Sequence, residues 1–84
     1  MKYKFIETPS HGYLKVDEKV VRDAMSRGCE ITGYSVVDGS WAYLEEDCDA
    51  SSFMKFMGIS KDEIEFTYVE GFNAHMYPSI KGDD

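Results

Sequence analysis

The residues able to do chemistry are few: His11, His75, Cys29, Cys48 and a dense run of carboxylates, Glu45, Glu46, Asp47 and Asp49. A histidine beside a carboxylate is the minimum for general acid–base work, and His11 with Glu45, Glu46 and Asp47 supplies the types. Ser10 and Ser51 are the nucleophile types nearest these groups, yet neither stands in a nucleophile motif. Zinc sites show paired ligands at close spacing, as in C-x₂-C, and neither the cysteines nor the histidines pair that way. Asp47-Cys48-Asp49-Ala50-Ser51 begins like a calcium loop. The sixth and twelfth positions, where that loop needs Gly and Glu, are Ser52 and Gly58. The plainer reading of Asp47 and Asp49 is that of acids at the positive end of a helix. No catalytic, metal or cofactor residue is assigned. The chain reads as one that acts by binding, with an enzyme as the lesser alternative.

Composition narrows the partners. The 84 residues carry nine Lys and Arg against sixteen Asp and Glu, a formal net charge of -7. Nucleic-acid binding needs a basic footprint, so a direct contact with nucleic acid is not expected; a basic protein surface suits the charge. Acidity also serves solubility alone. Hydrophobic residues make up 43% and aromatics 14%, too much apolar mass for a disordered chain. One domain over 1–84 is expected, with 81–84 as a frayed tail. So short a chain buries only about 60% of its unfolded surface, which leaves room for a homo-oligomer. No run has the length of a membrane span and MKYKFIE lacks the apolar core of a signal peptide, so the expected compartment is the cytoplasm. There two cysteines read as free thiols.

The elements that must position these groups follow from periodicity. Lys2 to Glu7 and Tyr13 to Val16 read as strands around a Pro9/Gly12 turn. Asp17 reads as the N-cap of a helix that carries Val20, Val21, Ala24 and Met25 on one face and stops at Gly28. Ile31 to Glu46 reads as a hairpin, with Asp38-Gly39 as a two-residue type I′ turn. That register sets Val36 against Trp41 and Tyr34 against Tyr43, and extended outward it sets Cys29 against Cys48. One hairpin face then bears Tyr34, Val36, Trp41 and Tyr43; it is a second core layer, an interface or an aromatic binding patch. Asp49 reads as the N-cap of a helix through Phe53, Phe56 and Met57 that ends at Gly58. Ile64 to Tyr68 reads as a strand, and Ala74 to Ile80 as a Pro-interrupted edge strand. The expected class is α+β: an antiparallel sheet of four or more strands with two short helices on one face.

Two segments, His11-Gly12-Tyr13-Leu14-Lys15-Val16 and Tyr43-Leu44-Glu45-Glu46-Asp47-Cys48-Asp49, carry a resemblance. With them the chain resembles a set of small uncharacterised proteins encoded by bacteriophages and other mobile elements. These share a His-Gly-aromatic-Leu-x-Val segment and a Tyr-Leu-Glu-Glu-Asp-Cys-Asp block; Tyr13 stands here where Trp is the usual residue. The resemblance implies a phage-type accessory protein and transfers no catalytic residue. In the bacterial host such a protein would be an anti-defence inhibitor of the anti-CRISPR or antirestriction type. Its acidic surface would occupy a basic nucleic-acid site of a host protein, with Glu45, Glu46, Asp47, Asp49, His11, Trp41 and Tyr43 as the contact residues. The alternative is a sponge that holds a nucleotide immune signal in an aromatic pocket.

Overall fold

In the computed structural model, which describes residues 2–9 and 11–82, five strands form one sheet in the order β3-β4-β2-β1-β5. The strands are β1 (Tyr3–Glu7), β2 (Gly12–Asp17), β3 (Val36–Asp38), β4 (Trp41–Glu45) and β5 (Ile64–Tyr68); the helices are α1 (Glu18–Ser26) and α2 (Asp49–Met57). The class is α+β and the sheet is mostly antiparallel. Among the described residues the one parallel pair is β1 with β5. Its cause is the path of the chain. A helix separates β2 from β3, and α2 separates β4 from β5, so each helix returns the chain to start a strand in the same direction. Ser10 and the end of the expected tail, Asp83 and Asp84, lie outside the described residues.

Leu14, Val16, Ala42 and Leu44 point from the sheet into a core closed by Val21 and Ala24 of α1 and by Ala50 and Phe53 of α2. Asp17 caps α1 as its sequence position predicts, accepting the Lys19 N–H at 2.8 Å. Gly58 ends α2 at φ 70°, a left-handed conformation that suits glycine.

The hairpin register differs from the sequence expectation. Asp38 pairs with Trp41, Val37 with Ala42 and Val36 with Tyr43, so the loop is Gly39-Ser40. A type I′ turn on Asp38-Gly39 requires positive φ at both residues. Only Gly39 has it, at 64°, and glycine in the first loop position fits the II′ class instead. The slip is of two residues, so the side chains that stay in the ladder keep their expected faces; a slip of one would have inverted them. The first half of the expected strand, from Ile31 to Ser35, leaves the ladder. There the Glu45 N–H donates to the Ser35 hydroxyl at 3.0 Å rather than to a facing carbonyl. The pairing of Tyr34 with Tyr43 is therefore not formed, and neither is the extended register that would face Cys29 with Cys48. Cys29 is buried, Cys48 is exposed, and both are free.

The segment after β5 crosses the sheet's other face from one edge to the other. It is no full strand: Ala74–Met76 form a 3₁₀ turn, and pairing is confined to a single bridge between Ser79 and Val36. Val37 N–H reaches the Pro78 oxygen at 2.9 Å and Ile80 N–H the Ser35 oxygen at 2.8 Å. Proline gives no N–H to a ladder, so the pairing stays short. This strap lays Phe72, Ala74 and Tyr77 over Ile6, Tyr13, Val36 and Tyr43, a second and smaller core. Beyond it Lys81 N–H and Gly82 N–H bond to Ser79, so the chain stays turned through Gly82.

Candidate binding cleft

The acidic corner is built by the meeting of β2 and β4. Tyr13 pairs with Glu45 at the end of this ladder, and the Glu46 N–H donates to the Gly12 oxygen at 3.0 Å. Gly12 is required there. A Cβ at this position would sit 2.5 Å from a Phe5 ring carbon, so the ring lies against bare backbone. The turn before α2 is closed by Glu45, whose carboxylate accepts the Cys48 N–H at 3.3 Å. On the neighbouring β1–β2 turn, the Thr8 hydroxyl accepts the His11 N–H at 3.0 Å and donates to the His11 oxygen at 2.8 Å. These bonds fix the His11 backbone and leave its ring exposed, 6.4 Å from the Tyr13 ring.

Beside the corner opens a cleft of about 650 Å³. Glu45, Asp47 and His11 stand on one side and the strap supplies Phe72, His75 and Tyr77 on the other. Phe72 is the keystone of the wall. Its ring lies 5.1 Å from Tyr13 and 4.8 Å from Tyr43, and Tyr77 lies 5.8 Å from Phe72. Burial, then the charges of Glu45 and Glu46, hold the Tyr13 hydroxyl above its ordinary pKa. Burial, followed by Asp38 and Tyr77, does the same to Tyr43.

The fold thus joins His11, Glu45 and Asp47 around one opening, with Glu46 exposed on the same turn. It does not bring in the other expected contact residues. Asp49 is 1% exposed and makes no helix-capping bond; the N-cap position is Cys48. Its carboxylate instead accepts the Thr32 N–H at 2.9 Å, the Thr32 hydroxyl at 2.7 Å and the Ser35 hydroxyl at 2.5 Å. Tyr43 lies under Phe72 and Tyr77, so it is core and not a docking surface. Trp41 lies at the far end of the β2–β4 ladder, opposite Asp17. The strap residues were missed in the sequence because their partners lie across the sheet. The available signal was the aromatic spacing of Phe72 and Tyr77 after the Glu70-Gly71 turn.

Among the described residues no side-chain hydrogen bond joins either histidine to a carboxylate, and no group of three or more ligand-type residues could hold a metal ion. No helix of the described residues is long and apolar enough to cross a membrane. Carboxylates at the lip and aromatic faces on the wall are the groups that receive a guanidinium or an ammonium. No family model, curated protein or solved structure matches the chain.

Proposed function

We propose that the protein acts by stoichiometric binding, placing the Glu45–Asp47 corner and its cleft against a basic protein surface. The observation that carries this reading is the placement of Glu45 and Asp47 at an aromatic cleft, with Glu46 exposed on the same turn, on a chain of net charge -7. Glu45 already holds the turn. The two acids after it make no side-chain hydrogen bond among the described residues, so their charge is free for a partner. A basic side chain entering the cleft would exchange water for a carboxylate and a ring face. The partner class that fits is a host protein with a basic nucleic-acid channel, and the phage-type resemblance points to one belonging to a defence system. Nucleotide capture is disfavoured at this cleft, because Glu45 and Asp47 repel phosphate.

The test is protection of an infecting phage in bacteria that carry defined defence systems. A variant with Glu46→Lys and Asp47→Lys, first shown to melt like the parent, is expected to lose protection by about tenfold or more, the scale of a buried charge pair. Equal protection by the folded variant contradicts the reading. So does catalytic turnover that survives the substitution.

A further inference from the structure

The opposite end of the sheet gathers three lysines, Lys2, Lys4 and Lys15, around Trp41, with Asp17 among them and Asp38 paired with Trp41. Lys4 of β1 and Lys15 of β2 are direct cross-strand partners and project from one face. Like charges so placed destabilise a sheet. Glu65 of β5 neighbours Lys4 on its other flank, yet neither lysine makes an ion pair among the described residues, where the only two pairs lie within α1 and the turn that follows it. Lys15 instead holds its ammonium 4.4 Å from the centre of the Trp41 ring. Trp41 remains 43% exposed. Lys2, Lys4, Lys15 and Trp41 line a pocket of about 360 Å³, with Tyr3 and Val20 as apolar wall and Asp17 at its rim. One Asp17 oxygen accepts the Lys19 N–H; the carboxylate keeps its charge, and the three lysines outnumber it. Three of the nine basic residues of an acidic chain thus surround its single tryptophan.

We propose that this pocket binds a mononucleotide-sized ligand, with its phosphate on the lysines and its planar ring on Trp41. Two cross-strand lysines with no ion-pair partner among the described residues can share an anion between them, and lysine serves phosphate as a point charge. An exposed aromatic face stacks any nucleobase. The volume stands at the lower end of small-molecule pockets, roughly 300–1,000 Å³, and no basic groove leads away from it. With the net charge of -7, this favours a small nucleotide over a nucleic-acid strand. In the free protein Lys15 occupies the Trp41 face. On binding, the base takes that face and Lys15 moves to the phosphate beside Lys4. No residue of the acidic turn lines this pocket, so the site stands independently of the cleft at the other end of β2.

The single tryptophan is its own probe. The wild-type protein at low salt is titrated with adenosine monophosphate, adenosine and inorganic phosphate, and Trp41 fluorescence is followed. The nucleotide is expected to quench saturably, with adenosine and phosphate each at least about tenfold weaker, a difference of about 1.4 kcal/mol. In the Lys4→Gln/Lys15→Gln variant the nucleotide should bind at least about tenfold more weakly, while the melting temperature holds or rises as the repulsion is removed. Calorimetry on Trp41→Ala should show the heat of binding lost. The proposal is overturned by no saturable change at about 10 mM nucleotide, an affinity worth less than about 3 kcal/mol. Unchanged affinity in the double-lysine variant, or adenosine or phosphate alone matching the nucleotide, also overturns it.

Discussion

Asp49 ties α2 to the loop before β3 by accepting from Thr32 and Ser35 while almost wholly enclosed. From the sequence it reads as a helix cap with a cost of about 1 kcal/mol on removal. The fold makes it a hub, and deletion strands buried donors as well as losing charged hydrogen bonds. Asp49→Ala is therefore expected to cost about 3 kcal/mol in a denaturant melt. A loss of about 1 kcal/mol or less would return Asp49 to the role of a cap. Tyr13 and Tyr43 give a second expectation. Burial, the first cause for both, raises their pKa values in the folded protein above the ordinary 10.0. The folded state then keeps protons that the unfolded chain gives up. Their stabilising contribution is whole below pH 10 and is lost as pH rises through the folded values. Melts across alkaline pH should show stability falling with tyrosinate absorbance. Ionisation of all tyrosines at the ordinary value, with no loss of stability, would contradict this.

The strap after β5 converts the aromatic hairpin face into a core layer, and Phe72 is its central contact with Tyr13 and Tyr43. Phe72→Ala should cost about 2–3 kcal/mol, less than a fully enclosed Phe because its side is half-buried. It should also lower the tyrosine pKa values by admitting water; a wild-type melt with unchanged tyrosine titration would mean that the strap does not cover this face. Elements whose causes are local were legible in the sequence. Asp17 capping α1, Gly58 closing α2, the faces of the hairpin and the α+β class all follow from residues within a few positions of one another. The misread features have distant causes. Ser35 and Asp49 pull the chain out of the β3 ladder across 14 residues. The parallel placement of β5 is decided by how the helices return the chain. The turn register was lost for a local reason, since Asp38-Gly39 and Gly39-Ser40 are both credible two-residue loops and only the backbone φ separates them. Of the expected site, His11, Glu45 and Asp47 come together at the cleft, with Glu46 exposed on the same turn. Tyr43 and Asp49 were drawn inward, because alternation tells which residues share a face but not whether a later segment covers it.

The two ends of the sheet differ in charge: one is acidic, the other mixes lysines with Asp17 and Asp38. The Tyr13–Glu45 end of the β2–β4 ladder bears the acidic turn and the cleft, and the Asp17–Trp41 end bears the lysines that face one another on β1 and β2. Net charge alone describes neither end. An acidic corner that engages a basic protein makes a complex that weakens as salt shortens the Debye length to about 3 Å at 1 M, and its on-rate falls with it. The proposed contact is the Glu45–Asp47 corner, with Glu46 and Asp47 its exposed carboxylates. The direct measurement is the affinity of parent and Glu46→Lys/Asp47→Lys proteins, both folded, for the basic partner that the parent retains from cells with defined defence systems, at about 0.05 M and 1 M salt. The parent complex is expected to weaken steeply with salt, and the variant to bind at least about tenfold more weakly at low salt, with the salt dependence largely gone. Equal affinity with an unchanged salt dependence would contradict it.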